Sequence, residues 1–164
     1  GGSFAVTAVK KQDTRGSNDA AIGRNLEWER GLGLHTADPY LDFSARVSQH
    51  RAKLTGLLRS LVNDGRSIIG YGASTKGNVI LQYCGITTRE LRAIADVNPE
   101  KFGSYTPGTG IPIIPETEAR RMRPDYFLVF PWHFRQGILE READFLNAGG
   151  KFIFPFPEIE IVGR

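Results

Sequence analysis

Cysteine is all but missing: Cys84 is the single one in 164 residues. One thiol excludes an intramolecular disulfide framework and any multi-cysteine metal site, and favours a reducing, cytoplasmic setting. Long apolar runs are missing too. No stretch approaches the ~18 residues of a membrane span, and the first residues lack a charged segment followed by an apolar core, so a soluble chain with no membrane partner is expected. Only three histidines are present, with no His-Glu-x-x-His, no Cys-x-x-Cys and no Ser or Cys nucleophile in a recognisable elbow. The usual signatures of zinc hydrolases and serine or cysteine hydrolases are therefore absent. Neither sign of charge dominates: 21 Lys and Arg against 18 Asp and Glu give +3, without a basic block. A dedicated nucleic-acid arm is not expected from that balance.

What is present is enough for one globular domain, since a chain of this length buries roughly 70% of its unfolded surface without disulfide or metal staples. Residues 4–9, Phe-Ala-Val-Thr-Ala-Val, suit a strand. The polar run that follows makes 10–37 a mostly irregular linker, because such a composition buries too little to offset ordering. The compact unit is expected over 38–164. Asp38-Pro39 opens a long helix, Val47, Leu54, Leu57, Leu58 and Leu61 mark its apolar face, and Asn63-Asp64-Gly65 stops it.

Beyond that stop, short apolar runs alternate with helical patterns. Strands are expected at 67–71, 91–95, 111–114, 125–130 and 151–156, and helices at 75–84, 116–122 and 133–147. The fold class is α/β: a Rossmann-like, doubly wound, mainly parallel five-stranded sheet, preceded by the long helix and the N-terminal strand and linker. Winding in the order 3-2-1-4-5 sets strand 1 beside strand 4 and opens a crevice at their carboxyl ends. The segments following strands 1, 2 and 4 border that crevice.

The first of these reads Gly70-Tyr71-Gly72-Ala73-Ser74-Thr75-Lys76-Gly77-Asn78. Glycines permit a tight turn and close approach, and the N–H groups opening the next helix favour a phosphate. The bland alternative is a turn that only packs strand on helix. Thr75 stands where a dinucleotide fingerprint needs glycine, and Asn78-Val79 replaces the Lys-Ser/Thr of a nucleotide-hydrolysing loop. Asp96 ends strand 2, where such folds place a ribose-binding carboxylate, or else it forms a plain Asx turn with Asn98. Lys101 to Gly110, with Thr106-Pro107-Gly108-Thr109, is long enough to wrap a base and sugar and is also readable as a simple connection. Trp132, His133 and Phe134 open the last helix, offering a stacking surface and a donor, or a buried aromatic cap. His35 and His50 read as solvated, Cys84 as a packing residue, and Arg120, Arg121 and Arg123 as a solvated helix terminus.

The strings GYGASTKGN (70–78), LQYCGI (81–86), DVNPEKFG (96–103), TPGTGIPI (106–113), PDYFLVFPWHF (124–134) and GGKFIFPFP (149–157) resemble the carboxyl-terminal domain of sugar C-methyltransferases. That resemblance implies S-adenosylmethionine-dependent enzymes that methylate a carbon of a dTDP-linked keto-sugar. It further implies that residues 1–37 are the remnant of a preceding methyltransferase domain, which binds the methyl donor, while this domain binds no cofactor itself. The nucleotide-sugar contacts it implies are Ser74, Thr75, Lys76, Asn78, Asp96, Lys101, Thr106, Thr109, Trp132, His133 and Phe134. With Gly72, Ala73, Gly77, Asn98, Pro107 and Gly108 from the same loops, these form the expected substrate-binding set. No catalytic residue and no metal ligand is expected here. Two other readings stay open: an NAD-type domain of an oxidoreductase, and a non-enzymatic interaction module.

Overall fold

Helix α1, Asp19–Gly31, forms without burying any residue. Its start is fixed by Asn18, whose side chain accepts the Ala21 N–H at 3.1 Å, and its body carries Ala, Arg and Glu twice each, all good helix formers. The computed structural model describes residues 4–8, 10 and 18–163. Within 10–37 the expectation of irregular chain therefore fails at 19–31. Local propensity and the Asn18 cap favour a helix there although none of its residues is buried. Residues 4–8 form no strand, and Val9 lies outside the described residues.

The chain divides into two units, residues 1–48 and 49–164. The first holds α1 and the opening half of α2, Asp38–Asn63. It exposes Ile22, Leu26, Trp28, Tyr40, Leu41 and Phe43. Helix α2 ends where the sequence places its stop. Gly65 at φ +76° lets Arg66 N–H reach Leu61 O and Gly65 N–H reach Val62 O, the paired bonds of a Schellman motif.

The second unit is a six-stranded sheet in the order β3-β2-β1-β4-β5-β6. Its strands are β1 Ile68–Tyr71, β2 Ile94–Asp96, β3 Ile113–Pro115, β4 Tyr126–Val129, β5 Lys151–Phe154 and β6 Glu160–Val162. Every pairing is parallel except β5 with β6. The five-strand expectation is corrected by β6, a three-residue edge strand after a proline-broken turn, too short to show a period. Helices α3 Thr75–Cys84, α4 Glu116–Arg121, α5 Arg135–Arg141 and α6 Ala143–Asn147 complete the unit. The single helix expected at 133–147 is instead a 3₁₀ turn at Trp132–Phe134 followed by α5 and α6.

Strand alternation sends the apolar side chains to two cores. Ile68, Leu128, Phe130 and Ile153 pack with Leu54, Leu58 and Leu81 from α2 and α3 on one face. Ile69, Tyr71, Phe127, Val129, Phe152 and Phe154 pack with Ala119 and Ile138 on the other. A sheet covered on both faces reads as continuous apolar strands. Each fully buried large side chain contributes about 1.5–3 kcal/mol.

Candidate functional site

Two loops meet where β1 and β4 end. Gly72 sits at φ +84°, and a Cβ there would lie 2.8 Å from Pro131 Cδ, so only glycine lets the chain leave β1 this close to the loop after β4. Phe130 donates its N–H to Tyr71 O at 3.0 Å, continuing the pairing to the same point. Helix α3 then starts on Ser74, whose Oγ accepts the Gly77 N–H at 3.0 Å. A Cβ on Gly77 would approach Phe130 Cγ to 2.8 Å, so this glycine sets α3 directly on the ring.

That docking leaves Thr75 and Lys76 exposed at the helix's positive end. Lys76 Nζ stands 6.0 Å from the Trp132 ring centroid, across the gap between the loops. Trp132 in turn packs against Phe156 at 4.9 Å and edge-on to His133 at 5.9 Å. The structure thus brings Gly72, Ala73, Ser74, Thr75, Lys76, Gly77 and Asn78 together with Trp132, His133 and Phe134.

Asp96 is buried and engaged. Its Oδ2 accepts from Ala73 N–H (2.8 Å) and Lys101 Nζ (3.0 Å), and Oδ1 accepts from Asn98 N–H (2.8 Å), the bond of an Asx turn. Burial pushes its carboxyl up, but the Asn98, Lys101 and Ala73 donors outweigh it and hold the pKa below the usual range. Lys101 Nζ also donates to Ala73 O, and Asn98 Oδ1 accepts the Glu100 N–H. These side chains clamp the glycine loop in place.

The Thr106-Pro107-Gly108-Thr109 turn lies elsewhere. Residues 103–105 run back antiparallel to 112–113, at the start of β3, so the turn falls toward the amino ends of the strands. There Gln82, near the last residues of α3, donates to Pro107 O at 2.9 Å. Thr106 Oγ1 is 2.6 Å from Thr109 Oγ1 and accepts the Ile111 N–H, shaping the turn internally.

A charged knot that no local sequence pattern marks lies beneath the crevice. Glu142, 3% exposed, accepts from the Tyr71 hydroxyl (2.9 Å) and from Arg120 Nη2 (2.6 Å). Arg120 also reaches Glu116 at 2.9 Å, and Arg141 reaches Glu116 at 2.6 Å, Glu142 at 3.2 Å and the Tyr71 hydroxyl. Arg120 is therefore not a solvated terminus. It ties α4 to the α5–α6 junction, where Glu142 leaves helical geometry at φ −103°, ψ 25°. These five residues come from β1, α4, α5 and that junction, and no local pattern unites them. His50 also departs from expectation: its ring stacks on Phe156 at 4.3 Å, its Nε2 is buried without a partner, and burial lowers its pKa.

Above the knot a cavity of about 300 Å³ is lined by Tyr71, Gly72, Asp96, Glu116, Phe134 and Arg141, with Val97, Pro131, Gly137 and Ile138 completing its walls. Among the described residues, no three His, Cys, Asp or Glu side chains cluster to hold a metal ion, and no helix is long and apolar enough to cross a membrane.

The knot and the clamp give stability a pH dependence of definite sign. Burial raises the Glu142 carboxyl, but Arg120 and Tyr71 more than offset this, so its folded pKa lies below the unfolded value, as for Asp96 and for Asp125 held by Ser67. Their contribution is present above the unfolded values, about pH 4, and is lost as pH falls through the folded ones. Burial, reinforced by Glu142, raises the Tyr71 phenol; its contribution is present below about pH 10 and is lost above it. Urea midpoints should hold steady between about pH 7 and 8, begin to fall near pH 6 as the unfolded chain protonates His50 more readily than the folded one, and drop further toward pH 3. A midpoint that is unchanged at pH 3 contradicts the assignment.

A family model described as C-methyltransferase C-terminal domain matches residues 1–157. The chain belongs to that family. It is 36% identical over 159 residues to the C-methyltransferase NovU of Streptomyces niveus. The match covers 97% of this chain and 37% of that relative, so the chain spans little more than a third of the longer protein. Within the family match lie both crevice loops, the Asp96 clamp and the charged knot.

Proposed function

We propose that this domain anchors the nucleotide half of a nucleotide-sugar, a dTDP-linked keto-sugar, for an S-adenosylmethionine-dependent C-methyltransferase. The observation that carries the reading is Lys76 facing Trp132 across the gap between the loops that follow β1 and β4. A diphosphate there would meet the lysine, the first N–H groups of α3 and its dipole. Binding energy from this remote part of the substrate would hold the sugar carbon for reaction elsewhere.

The residues present do not fit the methyl donor or NAD in the usual dinucleotide manner. Asp96, the carboxylate at the end of β2, is taken up by Ala73, Asn98 and Lys101, and Thr75 occupies the third glycine position. The donor is accordingly assigned to the rest of a longer polypeptide. The apolar side chains exposed by the first unit, Trp28 and Phe43 among them, support a docking surface for that remainder.

Calorimetry with dTDP, NAD and S-adenosylmethionine tests the reading. Binding of dTDP alone is expected, and Lys76→Ala should weaken it roughly tenfold at low salt, about 1.4 kcal/mol. Preferential binding of NAD would instead favour an oxidoreductase domain. Silence toward all three would leave an interaction module.

A further inference from the structure

We propose that the cavity over the Tyr71–Glu142 knot is a subsite for a single-ring nucleobase, stacked by Phe134 and read along one edge by Arg141 and Glu116. This rests on the nucleotide-anchoring reading above and assigns the end of the ligand which that reading left open. The cavity lies on the sheet face that carries Tyr71, Phe127 and Ile138, whereas α3 packs on the other face. Gly72 lines the cavity and begins the loop that leads to Lys76. A nucleotide lying across the end of β1 would thus have phosphates on one side of Gly72 and its ring on the other.

Charge decides which part belongs where. Around the cavity Arg120 and Arg141 are matched by Glu116 and Glu142, and Asp96 by Lys101. The pairs leave no net charge to attract a phosphate, while Val97, Pro131, Phe134 and Ile138 supply apolar walls. A neutral ring suits such a site. The volume, about 300 Å³, lies at the lower limit of ligand pockets, which favours one ring over two.

Hydrogen-bond capacity decides how the ring is read. Arg141 spends Nε and Nη2 on Glu142, Glu116 and Tyr71, and its Nη1 has no protein partner among the described residues. Each Glu116 oxygen accepts from one guanidinium and retains a second lone pair. A donor beside an acceptor complements a ring carbonyl next to a ring N–H, as on the imide edge of uracil or thymine. Phe134, 64% exposed at the rim, offers the stacking face.

Gly137 provides a test that leaves the knot intact. It lies in α5 on the cavity wall, and a Cβ there meets nothing within 4 Å, so Gly137→Phe adds a ring at the mouth and favours the helix. Amide NMR shifts of the 164-residue chain are followed on adding thymidine, dTDP and pyrophosphate separately. Thymidine and dTDP should shift Gly72, Val97, Phe134, Gly137 and Ile138. Gly137→Phe should weaken both roughly tenfold or more while leaving pyrophosphate shifts at Thr75, Lys76 and Gly77 unchanged. Glu116→Gln should narrow the preference for thymidine over cytidine. Shifts from dTDP confined to residues 74–78, or thymidine binding undiminished in Gly137→Phe, overturn the base subsite and leave the anchoring reading standing. Thymidine in the cavity with no pyrophosphate response at 75–77 supports the subsite and overturns the diphosphate reading.

Discussion

Glu142→Ala should lower the unfolding free energy by about 3 kcal/mol. Removing one member of a buried ion pair typically costs about 3–5 kcal/mol, because the partner charge stays behind without compensation. The lower end applies here, since the side chains of Arg120 and Arg141 are 40% and 49% exposed and water can take over part of their solvation. The Tyr71 hydroxyl, by contrast, would stay buried and lose its acceptor. The measurement is a urea titration, in which the midpoint falls while the slope is retained. Glu142→Gln keeps an acceptor for Tyr71 and should cost less than alanine. A loss under about 1 kcal/mol for Glu142→Ala would show that the knot is surface decoration rather than the tie between β1, α4 and α5.

Phe130→Ala should cost still more, about 3–5 kcal/mol, as expected for emptying a fully buried aromatic site. Phe130 is where the first core and the crevice join, because both Gly70 and Gly77 are shaped around its ring. A Cβ on Gly70 would sit 2.8 Å from Phe130 Cε2, and one on Gly77 2.8 Å from Phe130 Cγ. A double-mutant cycle makes the claim sharp. Gly77→Ala alone should destabilise by roughly 1–3 kcal/mol through overpacking. In the Phe130→Ala background the same change should cost clearly less, since the ring atoms that blocked the methyl are gone, but it should stay unfavourable because the Cβ of residue 130, 2.9 Å from that methyl, remains. Additive losses in the double variant would mean that Gly77 is required for some reason other than Phe130.

Much of the local architecture could be read directly from the chain. Helix α3 begins at Thr75 and ends at Cys84 as expected, because Ser74 can cap it and Gly85, at φ +63°, can close it. Helix α2 stops at Asn63 for a similar local reason. The structure departs from expectation where propensity and burial disagree: α1 is helical with no buried residue, and β6 forms a short edge against β5. The expected helix at 133–147 breaks at Glu142, whose side chain is drawn into bonds with residues distant in sequence. The candidate site divides the same way. Glycine, lysine and aromatic residues at the ends of apolar runs marked the Lys76–Trp132 gap, whereas Glu116, Arg120 and Arg141 look like ordinary helix-surface charges until α4 and α5 are laid side by side.

The amino-acid sequence alone determined the alternation of strands and helices, the glycines that allow tight exits from β1, and the motifs shared with C-methyltransferase C-terminal domains. These are properties of a few neighbouring residues: periodicity, capping and φ. Only the tertiary structure decided that Asp96 clamps the loop instead of standing free, that the Thr106–Thr109 turn lies at the far end of the sheet, and that five charged or hydroxyl-bearing groups converge under one cavity. Those facts depend on which distant segments the packed sheet brings within hydrogen-bond range, and no short stretch of chain encodes that distance.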